Sequence, residues 1–554
     1  MKNIILLMKL CFKSRQGKYG YCYALIIICL NIVLIKISLE MINWNKNFFN
    51  ALEKYDMQGV ITQLIVFVLL TISGAITYLI IEFLRKTLVI TWRKVLNDSI
   101  LDKWLNNKAY WYLNNHQDEI DNPDQRISED CLLFIERLTN EGFSLITQCI
   151  GLFSYFMLLW QITDNFVLNF SLFNIDISIS HYLIWLAPIY VLFTSCIAHM
   201  LGRPLKNLLI EQQHLEANYR FALTRFRESK EPIALANGEK VEKQQFEQHF
   251  NHIIKNWYLL IKRQLILGCF TRPYYLTVLS MPIFFSLPIY LIGKVSLGSL
   301  MQISKSFSNV VTNLSWFIFN YHKLAELIAC SYRLTQFFEK ANQAARQYQS
   351  ASQLEINQDA FAIDDLTIKK PDGAVLLTLP NLYLNKGDSV VISGASGVGK
   401  STFFKVISGL YPNFEGKIKV PKLKTLFLSQ NTYFPVGGLA HAISYPQPLF
   451  EKDLSLIKQL LLEVGFSTEF IDRNLLSDNL KTLSGGEKQR LMIARILMHK
   501  PDWIFMDETT NALDKQSEKQ LLKLLKTNLP NSSFIIISHT DISNYFDKCY
   551  QLNL

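Results

Sequence analysis

Gly394-Ala-Ser-Gly-Val-Gly-Lys-Ser401 follows a short apolar run, Ser389–Ile392, and leads into a helix-forming stretch, Thr402–Ser408. The spacing GxxxxGK[ST] in a strand–loop–helix setting is the pattern of a phosphate-binding loop. Glycines let backbone N–H groups approach phosphate oxygens, and the helix N-terminus favours their negative charge. Gly394, Ala395, Ser396, Gly397, Val398 and Gly399 are therefore candidate backbone contacts. Lys400 is placed to reach the outer phosphates of a nucleoside triphosphate, and Ser401, with Thr402 beside it, to meet its Mg²⁺.

Working outward, a second half of the site lies about one domain length downstream. Ile504-Phe-Met-Asp507-Glu508 is an apolar strand ending in two carboxylates. Asp507 suits the Mg²⁺ shell, and Glu508 suits the polarisation of an attacking water. From about residue 360 onward, short β-rich runs alternate with helical ones. That is the signature of an α/β sheet domain.

Leu483-Ser-Gly-Gly-Glu-Lys-Gln-Arg490 lies just before that strand, and with it the chain resembles the ABC ATPases, whose signature motif this is. The resemblance orders the remaining parts. Gln430, after Thr425–Leu428, matches the Q-loop glutamine, a metal contact and catalytic residue. Asn511–Asp514 matches the D-loop, with Asp514 among the nucleotide contacts. His539, after Phe534–Ile537, matches the switch histidine. In this family ATP sits between the P-loop of one subunit and the signature motif of another. With one of each, this chain implies a second copy, most simply a homodimer. Ser484, Gly485 and Gly486 would then contact the phosphates held by the partner. Two positions depart from the family pattern: Glu487 stands where glutamine is commoner, and Lys370 where an adenine-stacking aromatic is usual.

The first 340 residues have another character. Of 554 residues, half are hydrophobic and 18% are charged, while a soluble domain carries about a quarter. Collagen-like, disordered and disulfide-stapled classes are excluded. Nearly all long apolar runs lie before residue 340, at 21–42, 60–83, 143–163, 181–201, 267–293 and 298–325, each near the length that spans a bilayer. Lys and Arg crowd the intervening loops 85–142 and 202–265. The loops on the other side carry only Lys46, Lys54 and Lys294. The bias places both termini and both long loops in the cytoplasm. It also accounts for much of the net charge of +10 without nucleic acid. The long loops read as helical extensions of the membrane helices. The nine cysteines form no CxxC and read as reduced packing residues.

The membrane half resembles the SbmA/BacA-like bacterial ABC transporters and the related peroxisomal subfamily D transporters. The matching stretches are Asn43-Trp44, Asn47–Leu52, Trp92-Arg93, Ile120–Asp130, Glu216–Glu242 and Tyr332-Arg333-Leu334. The expected architecture is an all-α polytopic membrane domain of six helices with an exporter-like ABC fold, followed by an α/β P-loop ABC ATPase domain. The expected boundaries are 1–338, a linker at 339–359, and 360–554. By the same resemblance the turn Asn122-Pro123-Asp124 is a candidate contact with the ATPase. In the sixth span Gln302, Lys305, Asn309 and Asn313 recur at helical spacing and are read as lining a polar pathway between two chains.

The expected function is ATP-driven transport across a bacterial inner membrane, with ATP and Mg²⁺ as cofactors. The bacterial relatives point to peptide, cobalamin or another hydrophilic solute; the peroxisomal ones point to fatty acyl-CoA or lipid. An ATP-regulated channel subunit is a further alternative, against which the complete set of phosphate-handling residues argues.

Overall fold

The computed structural model describes residues 2–113, 123–163, 167–172, 175–291, 293, 295–351, 354–357, 360–379, 381–395, 397–421, 424–430, 432–477, 483–509, 514–537, 546 and 548–552. The chain divides into two compact units, Met1–Asp102 with Asp121–Phe338, and Lys103–Ile120 with Glu339–Leu554.

The first unit is helical. A short helix α1 (Lys2–Lys13) precedes α2 (Arg15–Glu53), which starts where the Ser14 hydroxyl accepts the Gly17 N–H at 2.8 Å. Then come α3 (Met57–Leu105), α4 (Ala109–Leu113), which belongs to the second unit, α5 (Pro123–Gln125) with a π-turn at Arg126–Asp130, and α6 (Cys131–Ile162). The chain continues as α7 (Tyr182–Glu228), α8 (Lys230–Ala236), α9 (Glu239–Leu291), α10 (Leu297–Leu314) and α11 (Trp316–Ala351). Among the described residues, four stretches are long and apolar enough to cross a membrane: Gly17–Glu53, Met57–Leu113, Pro123–Ile162 and Ile184–Glu228. Along α3 the exposed side chains include Leu64, Ile65, Val68, Leu69 and Ile72. An apolar outer face of this length suits hydrocarbon, where a helix satisfies its own backbone groups.

Three details depart from the sequence reading. The segment 164–180, which the apolar runs on either side leave as a loop, contains an antiparallel pair, β1 (Val167–Leu172) and β2 (Ile175–Ser180), registered Val167↔Ser180. Its alternation of apolar and polar residues has the strand period. The stretch 298–325 is two helices, because α10 stops at Ser315 before α11 begins. And α11 runs to Ala351, so the first part of the stretch expected as a linker is helix.

Helix α10 is largely enclosed. It packs on α2, α6, α7 and α9. Its Ile303, Phe307, Val310 and Val311 form a core with Ile42, Tyr155, Leu159, Ile184 and Tyr274. The end of α2 caps its start: Asn50 Oδ1 accepts the Gly298 N–H and Glu53 Oε2 accepts the Leu297 N–H, both at 3.0 Å. Only glycine fits at 298, since a Cβ there would lie 2.0 Å from the Lys46 carbonyl oxygen. The long loop 202–265 is helical, as expected. In it α7 and α9 pair through Asn256, whose amide donates to Leu208 O and Gln212 Oε1, and through Tyr219 against Phe246 and Phe250.

The second unit holds two five-stranded sheets. Its elements are β3 (Leu354–Asn357), β4 (Ala360–Lys369), β5 (Val375–Leu379), β6 (Leu382–Asn385), β7 (Ser389–Gly394), α12 (Lys400–Ile407), β8 (Phe414–Pro421) and β9 (Thr425–Leu428). Next come α13 (Gly438–Ser444), α14 (Leu454–Glu463), α15 (Thr468–Asn474), α16 (Gly485–His499), β10 (Trp503–Asp507), α17 (Lys515–Asn528), β11 (Ser533–Ile537) and β12 (Lys548–Leu552). One sheet is parallel, in the order β12-β7-β11-β10-β9. The other joins β3-β8-β4-β5, with β6 on β4, and is antiparallel apart from β3–β8. Strands β10 and β11 are buried along their whole length, as parallel strands covered on both faces must be.

Candidate functional site

Strand register brings the motifs to one edge. Ile392 on β7 pairs with Ile537 on β11, and Ile537 pairs with Asp507 on β10. The loop Gly394–Gly399, the carboxylates Asp507 and Glu508, and the chain leaving β11 toward His539 therefore all emerge at the carboxyl ends of adjacent parallel strands. Ligands bind in that crevice in open α/β sheets. Ser396 and His539 lie outside the described residues, as do Asn511–Leu513 of the candidate D-loop.

The loop has the backbone its function needs. Gly397 has φ 86° and Gly399 φ 102°, the left-handed region that glycine adopts without strain. A Cβ on Gly399 would also press on Leu376 Cγ at 3.3 Å. Lys400 opens α12 and is buried, its Nζ donating to Gly394 O at 2.6 Å and Ala395 O at 3.2 Å. The ammonium thus rests on the carbonyls of its own loop. Ser401 and Thr402 follow in the first turn of α12.

Asp507 is buried at the end of β10. Glu508 has φ 51°, which is costly for a residue with a side chain and which clusters at functional sites. Two contacts hold it: its N–H donates to Ile537 O at 2.9 Å, and Gln430 Nε2 donates to its Oε2 at 3.1 Å. The two residues expected to handle water and metal are thus in direct contact. Three residues past Gln430 the chain is anchored at Tyr433. Arg495 on α16 is buried, donates to Ala442 O at 2.8 Å and Tyr433 O at 3.0 Å, and lies under the rings of Phe434 and Tyr445. Burial lowers its pKa to about 10.

Ser484 is the N-cap of α16. Its hydroxyl accepts the Glu487 N–H at 3.3 Å and donates to Glu487 Oε2 at 2.8 Å, and its own N–H donates to the same oxygen at 2.7 Å. Glu487 therefore closes a capping box, a physical reason for the departure noted in the signature motif. Ser484 and Gly485 are exposed. Asp514 caps α17 by accepting the Gln516 and Ser517 N–H groups at 3.1 and 3.0 Å. Lys370 stands in the β4–β5 turn, its N–H donating to Ala374 O at 2.7 Å.

One set of contacts was not foreseen. Trp111 Nε1 donates to Leu410 O at 2.9 Å, Tyr112 Oη to Gly409 O at 3.1 Å, and Lys108 Nζ to Ser408 O at 3.4 Å. Lys405 also sits over the Trp111 ring at 5.7 Å. The segment thus grips the C-terminal end of α12, the helix whose other end is the phosphate loop. Tyr110-Trp111-Tyr112, three aromatics in a charged loop, was the signal. Of the turn expected to serve as this contact, Asn122 lies outside the described residues. Pro123 and Asp124 open α5 in the first unit.

In the first unit the four polar residues of the sixth span have different surroundings. Gln302 is buried and donates to Asn43 Oδ1 at 3.0 Å. Lys305 is exposed, and Asn309 and Asn313 are half-buried. Asn313 lies against Gly151 of α6. A second polar centre is Asp130, buried, with Arg126 at 2.9 Å and Arg333 Nε at 2.8 Å on one oxygen, and Arg333 Nη2 at 2.5 Å on the other. Burial works to raise its pKa, but the hydrogen bonds and charges of Arg333 and Arg126 hold the carboxyl below its ordinary value.

The profile described as "ABC transporter transmembrane region 2" matches residues 7–290, and the one described as "ABC transporter" matches 377–511. The chain is 31% identical over 548 residues to the "Inner membrane ABC transporter ATP-binding protein YddA" of Escherichia coli, covering 96% of this chain and 94% of the relative. It is 24% identical over 567 residues to the human "Lysosomal cobalamin transporter ABCD4", covering 95% and 90%. A bacterial Atm1-family ABC exporter solved with ATP bound superposes with a TM-score of 0.70 at 15% identity, over 97% and 93% of the two chains.

Proposed function

The chain belongs to the ABC transporter family, as a half-transporter with one membrane region and one ATP-binding domain, and on that premise we propose how it works. It is an exporter-type membrane transporter that couples ATP hydrolysis to transport. The observation that carries the mechanism is the contact of Gln430 with Glu508, beside Asp507 and the glycine loop at one sheet edge.

Two copies associate, and each ATP lies between Gly394–Thr402 of one copy and Ser484-Gly485-Gly486 of the other. Support for this is the single copy of each motif and the exposure of Ser484. Lys400 leaves its loop carbonyls for the phosphates. Glu508 orients the attacking water and takes its proton, steadied by Gln430, while His539 contacts the terminal phosphate and Asp514 shapes the interface. Mg²⁺ fits the donors present: the Ser401 hydroxyl, the Asp507 carboxylate and the Gln430 carbonyl oxygen are hard ligands, and the Gln430 amide nitrogen is already engaged by Glu508. When bound, the ion neutralises phosphate charge.

ATP closes the two ATPase domains and hydrolysis releases them. The movement reaches the membrane helices through Lys108, Trp111 and Tyr112, with the turn at Asn122-Pro123-Asp124 framing that segment. The membrane domain (1–338) has six spans, residues 339–359 connect it to the ATPase domain (360–554), and Gln302, Lys305, Asn309 and Asn313 border the pathway. Both termini face the cytoplasm, on the evidence of the Lys/Arg bias. The inner-membrane location named for the Escherichia coli relative supports a bacterial inner membrane. The cargo is a hydrophilic solute, a reading that the cobalamin named for the human relative favours over acyl-CoA.

The test is ATP turnover by purified protein in lipid vesicles, wild type beside Glu508→Gln, with labelled peptide, cobalamin and acyl-CoA on either side. Turnover and movement of one cargo by the wild type, with both lost in the variant, supports the mechanism and gives direction and cargo. ATP binding with turnover no faster than the variant would sink the role of Glu508.

A further inference from the structure

Helix α10 is buried on almost every side, against α2, α6, α7 and α9. One narrow stripe stays open. Lys305 and Thr312 are exposed on it, with Met301 and Asn309 half-buried beside them. The spacing of four, four and three residues puts them on one helical face. The outward surface of α3 between Leu64 and Ile72, by contrast, is largely apolar. A stripe with an ammonium, an amide and a hydroxyl is not a surface for hydrocarbon. Lys305 lies eight residues into α10, about 12 Å from its start. No ion pair or hydrogen bond to its Nζ is formed by the described residues. Beside it, Gln302 is 4% exposed, and its Oε1 has no hydrogen-bond partner among the described residues. The open side of α10 is therefore polar, carries a positive charge without a counter-charge, and lies where a bilayer-spanning segment is expected.

We propose that Lys305 is a specificity-determining residue that recognises an anionic group, a carboxylate, sulfonate or phosphate, on the transported solute. This rests on the reading of that face as part of the transport pathway. The argument is charge complementarity. An ammonium in a site of low dielectric is stabilised by an anion, and a positively lined cleft concentrates anions. The transporter thus favours solutes that bring the missing charge and disfavours cations of the same size.

The experiment uses full-length protein in vesicles, with the exposed native cysteines replaced by serine and Thr312→Cys introduced one turn beyond Asn309. Two thiol reagents of similar size are compared, anionic sulfonatoethyl methanethiosulfonate and cationic trimethylammonioethyl methanethiosulfonate. ATP turnover verifies that each variant is folded. The proposal expects both to react, the sulfonate faster by about tenfold. That preference is kept by Lys305→Arg, abolished by Lys305→Gln and inverted by Lys305→Glu. Equal rates whatever stands at 305 would overturn anion recognition while leaving the pathway in place. Failure of both reagents on protein that turns over ATP would show that the stripe is not in water, and would overturn the pathway reading as well.

Discussion

At the residue scale the ATP site rests on backbone geometry that particular residues tolerate at a cost. Glu508 sits at φ 51° because its N–H is drawn to Ile537 O and its carboxylate to Gln430. Gly399 at φ 102° faces Leu376, so Gly399→Ala meets both backbone strain and a contact. It is expected to cost about 1–3 kcal/mol and to weaken ATP binding well over tenfold, checked by nucleotide titration and thermal unfolding. Glu487 shows how a local rule explains a departure from a family pattern. Its carboxylate closes the box on Ser484, and an amide can do the same. Glu487→Gln should leave turnover within about twofold, whereas Glu487→Ala should loosen the start of α16 by about 1 kcal/mol and raise the ATP concentration needed for half-maximal turnover. If both variants behaved alike, the capping explanation would fail.

At the element scale α12 is a short rod with a task at each end. Its N-terminus carries Lys400, and the residues just past its C-terminus, Ser408–Leu410, are held by Lys108, Trp111 and Tyr112. Trp111→Ala removes the indole donor and the Lys405 contact without touching the phosphate loop. Basal ATP turnover should therefore persist while cargo moved per ATP falls several-fold, read in the vesicle assay with both quantities measured together. In the other unit, Asp130 ties the π-turn before α6 to α11 through Arg333. Its folded pKa is below the unfolded value, so its contribution is in place above about pH 4 and fades as pH falls through the lowered value. Asp130→Asn should lower the melting temperature at pH 7, and the loss of stability on acidification should be shallower than in the wild type. What the sequence made legible follows from range. The phosphate loop, the Asp507-Glu508 strand and the signature motif are local patterns, and each stands in the expected element. The Trp111 contact joins residues about three hundred positions apart, and although Tyr110-Trp111-Tyr112 marks the segment, no local pattern encodes its partner. Ser315 ends α10 without proline or glycine, so the break was hidden. The β1–β2 pair is local too, carried by the period-two alternation of Ile175–Ser180, to which apolar runs and charge bias are blind.

At the scale of the whole molecule the proposed dimer makes a demand that no single chain can meet. Hydropathy and charge told the membrane half from the ATPase half. That the site spans two chains came from resemblance, since no single-chain pattern requires it. Lys400 and Ser484 lie on the same chain but would serve different ATP molecules. Lys400→Ala alone, or Ser484→Arg alone, inactivates both sites of a homodimer, because every site then contains one damaged half. In a mixed dimer both lesions fall in the same site. The other site receives its phosphate loop from the Ser484→Arg chain and its signature motif from the Lys400→Ala chain, both intact. Random assembly of equal amounts puts about half of the dimers in this mixed state, each with one working site of two. Turnover should therefore recover to about a quarter of wild type if the sites act independently. It would stay near zero if each chain built its own site, and also if the two sites must fire together. Tandem fusion of two wild-type halves, then of one wild-type and one Glu508→Gln half, separates those cases. Independent sites leave the second fusion half active, and obligatory coupling leaves it inactive. Recovery in the mixture can only come from a site assembled from two chains, because neither chain contains an intact pair of its own.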